Sequence, residues 1–242
     1  MPYQPYITGV WYNKELWEEA GLTEKDIPDT WEDLIKVCRK IRNSDSGLSA
    51  MACDGEYVNL LYGYQLARYL GQERVWQLIH DCTWSQTAEA KQAADDIRRL
   101  FLAGYMSRTS PADHPEGQDE VGNGEAVMVL QGSWTPNEVT EDTGYDDTWG
   151  FFPWPAVKNG TDGTEGIMIG AQGFGVMKDS QMKQEAFDFA YSVCTGETDM
   201  KMTDIVNSIP ADTDNTQWPE MLADAASYMG KMSKPYMWAA GL

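Results

Sequence analysis

The chain has 242 residues with 18 basic and 38 acidic side chains, a formal net charge of −20, so it lacks the positive footprint that nucleic acid requires and is repelled by anionic membrane surfaces. Hydrophobic residues make up 42% of the sequence and aromatic residues 12%, enough for a packed core and against disorder. Ten tryptophans and twelve tyrosines exceed what a core needs and favour a half-wet binding cleft.

In chain order, Ile7 to Tyr12 reads as a strand and Asn13 to Ala20 as a short helix stopped at Gly21, a residue suited to the left-handed cap. Thr30 with Asp33 is a weaker relative of the capping box, after which Trp31, Leu34, Cys38 and Ile41 share one helical face. Asn59 to Leu70 and Ala88 to Ala103 are amphipathic helices, the second ending at Gly104. The polar segment Ser107 to Gln118 reads as a surface loop leading into a helix. Ala126 to Leu130 is too uniformly apolar for a half-exposed strand and predicts a buried one. Gly150 to Val157 starts as a strand and is broken by Pro153 and Pro155. Asn159 to Gly166 is a polar, glycine-rich connection and the best candidate for a chain crossing. Ile167 to Ile169 and Phe174 to Met177 follow as a strand pair. Gln184 to Val193 is a helix with Ala186, Phe187, Ala190 and Val193 turned inward, and Pro219 to Met229 is another with proline in its first turn. Alternation of this kind argues for an α/β fold.

The most informative stretch is Gly124 to Trp134. Gly132 lets the chain turn sharply where the buried strand ends, and Trp134 follows. Ligands of open α/β sheets collect at strand ends, and an indole there suits one with an apolar face and a polar rim, such as a pyranose. The plainer alternative is that Trp134 fills the core.

The common catalytic signatures are missing. There is no GxSxG, HExxH, GxxxxGK or strand-GxGxxG-helix unit. The glycine-rich run Gly170 to Gly175 enters a strand and forms no phosphate cradle. His80 and His114 are the only histidines and lack sequence-local partners, which argues against a histidine-dependent triad. Asp212 to Asn215 imitates the start of a calcium loop but lacks its glycine and terminal glutamate. Cys38, Cys53, Cys82 and Cys194 contain no CxxC pair, so zinc has no support, and no cofactor or metal is expected. Cys38 and Cys194 fall on apolar helix positions, while a Cys53–Cys82 bridge stays open. A glycosidase carboxylate pair leaves no spacing signature and is carried as the alternative enzymatic reading. An interaction lobe without a small ligand is a third. No apolar run approaches the ~18 residues of a membrane helix, and the amino terminus lacks the features of a secretion signal.

Five stretches in order resemble the extracellular solute-binding proteins that deliver sugars to ABC importers, the maltose-binding-protein-like group. They are Val10 to Leu16 running into Glu19 to Leu22, Pro28 to Leu34, Asn123 to Met128 leading to Gly132-Ser133-Trp134, Trp149 to Pro153, and Gly173 to Glu185. The resemblance implies a non-enzymatic, monomeric binding component with a type II periplasmic-binding-protein-like α/β fold, whose two lobes close on a carbohydrate by hinge bending and present it to a membrane permease. It implies that Trp134 and Trp238 stack on sugar, that Glu56 and Tyr57 contact it at a spacing that departs from the family, and that Tyr12 lies near a crossing and is a further cleft residue. Residues 1–165 would form most of the carboxy-terminal lobe, 166–231 part of the amino-terminal lobe, and 232–242 a return crossing. Family members are longer at both ends, so the chain is expected to be part of an exported, lipid-anchored parent, with a 166–231 segment that lacks its sheet partners and exposes apolar strand edges.

Overall fold

The computed structural model describes residues 1–44, 46–146 and 148–237. Strand β1 (Pro2–Asn13) runs through the middle of a six-stranded mixed sheet. One edge pairs antiparallel with β3 (Ala126–Gly132), Thr8 facing Gly132 and Tyr12 facing Met128. The other edge pairs first with β5 (Gly166–Gly173) and then with β4 (Trp149–Phe152). β2 (Ser49–Ala52) joins parallel to β3, and β6 (Lys234–Tyr236) parallel to β5. Every residue of β3 is buried, as its unbroken apolar run predicts.

The two-residue period of β1 sorts its side chains between two cores. Val10 and Tyr12 enter the larger, with Trp17 of α1 (Lys14–Glu19), Trp31 and Leu34 of α2 (Trp31–Asn43), Leu60 and Tyr64 of α3 (Val58–Leu70), Leu78 of α4 (Gln72–Asp81) and Leu100 of α5 (Ala88–Leu102). Ile7 and Trp11 enter the other, with Val121 of α6 (Glu116–Gly122), Val139 of α7 (Thr135–Thr143) and Ala225 of α10 (Ala223–Met229). Helices α8 (Lys183–Val193) and α9 (Gly196–Val206) complete the described elements. Thr30 caps α2 by accepting from the Asp33 amide at 3.3 Å, and Gly21 and Gly104 take left-handed φ values of 74° and 66°.

Several expectations are corrected. β1 begins at Pro2, not Ile7, because a register shift at Gln4, with φ of 45°, absorbs the prolines. Phe174 to Met177 is not a strand; β5 is one strand ending at Gly173. Pro219 precedes a turn of 3-10 helix, and α10 starts only at Ala223. Phe187 is 48% exposed instead of inward. It is one of several large apolar side chains exposed on or near α8 and α9, with Val176, Met177, Met182, Phe189, Tyr191 and Ile205.

The 159–166 connection is anchored to the end of α3, where the Thr161 amide donates to the Arg68 carbonyl at 2.9 Å. The Arg68 side chain is fully buried. Its guanidinium donates to the carbonyls of Trp154 at 3.1 Å and Pro155 at 3.3 Å and to the Tyr236 hydroxyl at 3.3 Å, and lies 5.5 Å from the ring centres of Tyr64 and Tyr236. Tyr236 in turn donates to Asp162 at 2.7 Å. A single cation thus ties α3, the chain after β4, the connection and β6 together.

All four cysteines are free; Cys38, Cys53 and Cys194 are buried and Cys82 is exposed. Among the described residues, no helix is long and apolar enough to cross a membrane, and no cluster of histidine, cysteine and carboxylate groups is placed to hold a metal.

Candidate functional site

A cleft of about 480 Å³ opens where the outer part of β1, the ends of β3 and β5, the start of α7 and the end of α9 meet. β3 delivers the backbone to Gly132, Ser133 accepts from the Ile7 amide at 3.4 Å, and Trp134 opens α7. Its indole folds back over Gly132, where a Cβ would stand 2.1 Å from Cζ3. On β1, Tyr6 lies across Gly170 of β5 in the same manner, with a Cβ there only 2.3 Å from the Tyr6 hydroxyl. These two rings meet edge to face at 5.3 Å, and Tyr57 flanks Trp134 at 6.0 Å with a 40° tilt. The result is an aromatic wall of three half-buried rings.

The rest of the lining is polar. Asn137, Glu138 and Glu141 project from α7, Gln4 and Gln172 come from the ends of β1 and β5, and Asn207 closes α9. Asn207 takes a left-handed φ of 47° and donates from Nδ2 to Asn137 Oδ1 at 2.9 Å, joining the two helices across the cleft. A buried relay supports this surface from behind. Gln118 donates to Glu138 at 3.0 Å, Gln131 donates to Gln118 at 3.2 Å and to Asp54 at 2.9 Å, and the Gly117 amide donates to Asp54 at 2.7 Å. His114 stands 3.6 Å from Asp54 and sets its ring edge-on to Tyr57 at 5.6 Å. Burial raises the Asp54 carboxyl above its ordinary value, against the Gly117 hydrogen bond and the His114 charge. Burial likewise raises Tyr57, with the charges of Glu138, Asp54 and Glu56 adding to it.

Of the sequence candidates, the structure brings Trp134 and Tyr57 together. Glu56 is exposed beside Tyr57 and does not line the cleft. Tyr12 is only 4% exposed and packs on Trp17 and Phe152 over Gly150, so it is a core residue; the glycine opposite it lets the ring turn inward. Trp238 lies outside the described residues. Tyr6, Asn137, Glu138 and Asn207 were not singled out from sequence. The cue for Glu138 was its place four residues after Trp134, one turn along a helix that polar composition concealed.

One neighbour of the relay is electrostatically strained. Asp119 on α6 has a buried carboxylate oxygen without a hydrogen-bond partner among the described residues. Burial, then the charges of Asp142, Asp54 and Glu138, push its carboxyl up to about 6 from 3.8. The folded state therefore holds this proton more tightly than the unfolded state. Its destabilising effect is absent below pH 3.8, grows as pH rises, and is complete above about 6. Asp119→Asn is expected to stabilise the protein at pH 7 by about 1–2 kcal/mol, after allowance for solvent screening, and to give no gain near pH 3.5. Urea unfolding at both pH values checks this; an equal gain at both would show that charge is not the cause.

A family model described as bacterial extracellular solute-binding protein matches residues 1–191. The chain is similar to a lactose-binding protein of Rhizobium radiobacter, 23% identical over 202 residues that cover 82% of this chain and 46% of that protein. It is similar also to a multiple sugar-binding protein of Streptococcus mutans, 23% identical over 218 residues, covering 86% and 50% respectively. The chain thus spans about half the length of the curated relatives it matches. Among solved structures, it superposes on a chitin oligosaccharide binding protein with a TM-score of 0.82 at 18% identity, covering 98% of this chain and 60% of that one. That likeness establishes the periplasmic-binding-protein-like α/β fold.

Proposed function

Since this chain belongs to the bacterial extracellular solute-binding protein family, we propose that it is part of the substrate-binding component of an ABC importer and holds a mono- or oligosaccharide in the cleft at Trp134. The observation that carries this reading is the geometry of that cleft. An aromatic wall of Trp134, Tyr57 and Tyr6 shares a cleft of about 480 Å³ with amides and carboxylates, a combination that matches the apolar C–H face and hydroxyl rim of a pyranose. Trp134 and Tyr57 are the assigned ligand contacts from the sequence, with Trp238 a further stacking candidate. The glycoside hydrolase alternative receives no support from the relatives, whose descriptions name binding proteins.

In this reading, residues 1–165 supply most of the carboxy-terminal lobe, 166–231 part of the amino-terminal lobe, and 232–242 the return crossing. The exposed apolar side chains around α8 and α9 support that division. Ile209, Leu222 and Ala225 nevertheless pack with Ile7 and Trp11 in the core on one face of the sheet. The whole protein works outside the membrane, lipid-anchored, as a monomer that presents its loaded form to a permease.

Thermal shift against mono- and oligosaccharides tests the reading, because a ligand that binds only the folded state raises the melting midpoint. A rise with a particular sugar is expected. A cooperative melt unmoved by every sugar would overturn the assignment. Gly132→Ala should weaken binding about 10-fold with little loss of stability, since the added methyl pushes the indole off its seat while the ring swings toward solvent. Calorimetric titration of a responding sugar checks this, and unchanged affinity would show that the ring position is unimportant.

A further inference from the structure

Resting on the carbohydrate reading above, we propose that the cleft is a charge filter: it accepts uncharged glycans and rejects those carrying carboxylate, sulfate or phosphate groups, with Glu138 and Glu141 as the residues that discriminate. The two carboxylates lie three positions apart on α7 and both line the cleft. Every other polar side chain on that surface is an amide or a hydroxyl, and no lysine or arginine lines the cleft among the described residues. One Glu138 oxygen is held by Gln118, and one Glu141 oxygen accepts from Asn137 at 2.8 Å, so each carboxylate is tethered by one hydrogen bond. Each retains lone pairs for sugar hydroxyls, which donate readily to a carboxylate.

Behind them, fully buried Asp54 is tied to Glu138 through Gln131 and Gln118, so the relay supplies further acidic groups and no cation. His114, whose ring meets Tyr57 edge-on, is already directed at Asp54. An anionic substituent entering here meets two carboxylates with no compensating cation among the described lining residues, whereas a hydroxyl meets acceptors and amide donors. Rejection therefore follows from repulsion and not from shape.

The test uses paired probes, galactotriose against trigalacturonate and lactose against sialyllactose, titrated calorimetrically into the intact chain and into Glu138→Gln/Glu141→Gln. The amide keeps an oxygen for the Gln118 hydrogen bond. The neutral member of a pair is expected to bind at least about 100-fold more tightly at low salt, with a gap that narrows at 1 M salt. The double variant should reduce the gap below about 10-fold, whatever it does to neutral affinity. Equal binding of a neutral probe and its anionic counterpart, or an unaltered gap in the variant, overturns the charge filter and leaves the carbohydrate reading standing. If neither these probes nor any other sugar binds, both fail together. Binding of the anionic probe alone also overturns the filter.

Discussion

Trp134→Ala is expected to weaken sugar binding by about 30- to 150-fold, equivalent to about 2–3 kcal/mol, which is the range for loss of a central aromatic anchor. The indole is the middle ring of the wall, 5.3 Å from Tyr6 and 6.0 Å from Tyr57, so its loss removes the stacking surface and leaves the flanking rings without their neighbour. The fold should tolerate this, because the ring is only half-buried, sits over a glycine, and caps α7 through its backbone and not its side chain. Melting should fall by less than about 1 kcal/mol equivalent. Calorimetric titration of wild type and variant with one responding sugar measures the first effect, and circular dichroism the second. An affinity within threefold of wild type would remove Trp134 from the site.

Arg68→Met is expected to have the largest effect on stability, a loss of about 3–5 kcal/mol, because it strips a buried cation from partners that nothing else can reach. The carbonyls of Trp154 and Pro155 and the Tyr236 hydroxyl would be left with poorer satisfaction inside the core, and β6 would lose its tie to α3. Arg68→Lys should recover less than half of the loss, since an ammonium cannot span both carbonyls and Tyr236 with one planar fork. The urea midpoint should fall by about 1 M or more in the methionine variant. A change below about 0.3 M would mean that the network contributes little to folding.

What could be read from the sequence depended on pattern length. Five of the seven buried residues of β3, Ala126 to Leu130, form an unbroken apolar run that predicts a buried strand, and Gly132 and Trp134 followed from where that run stops. β2 spans four residues, too few for any period to show. The outer half of β1 was hidden by Pro2 and Pro5, which normally argue against a strand, and with it went Tyr6. α7 and α9 were missed because their composition is polar, so the carboxylates and amides of the cleft had no element to place them on. Tyr12 was misplaced because a strand residue near a crossing is cleft or core according to what lies opposite, and Gly150 opposite makes room for the ring inside. The inward assignment of Phe187 read an amphipathic face correctly as apolar, but no described element covers it.

The pairing of Trp134 with Gly132 and of Tyr6 with Gly170 places two rings of the proposed binding wall directly on sheet backbone. Such rings would have few rotamers to lose when a ligand arrives, so the entropic toll of binding would fall on the ligand and on the longer side chains around them, Gln4, Gln172 and Glu141. The wall acts as a fixed ruler and the amides and carboxylates as adjustable fingers. Sequence drift at the fingers would alter which glycan is preferred without moving the plane on which its ring rests, whereas drift at either glycine would shift that plane for every glycan alike.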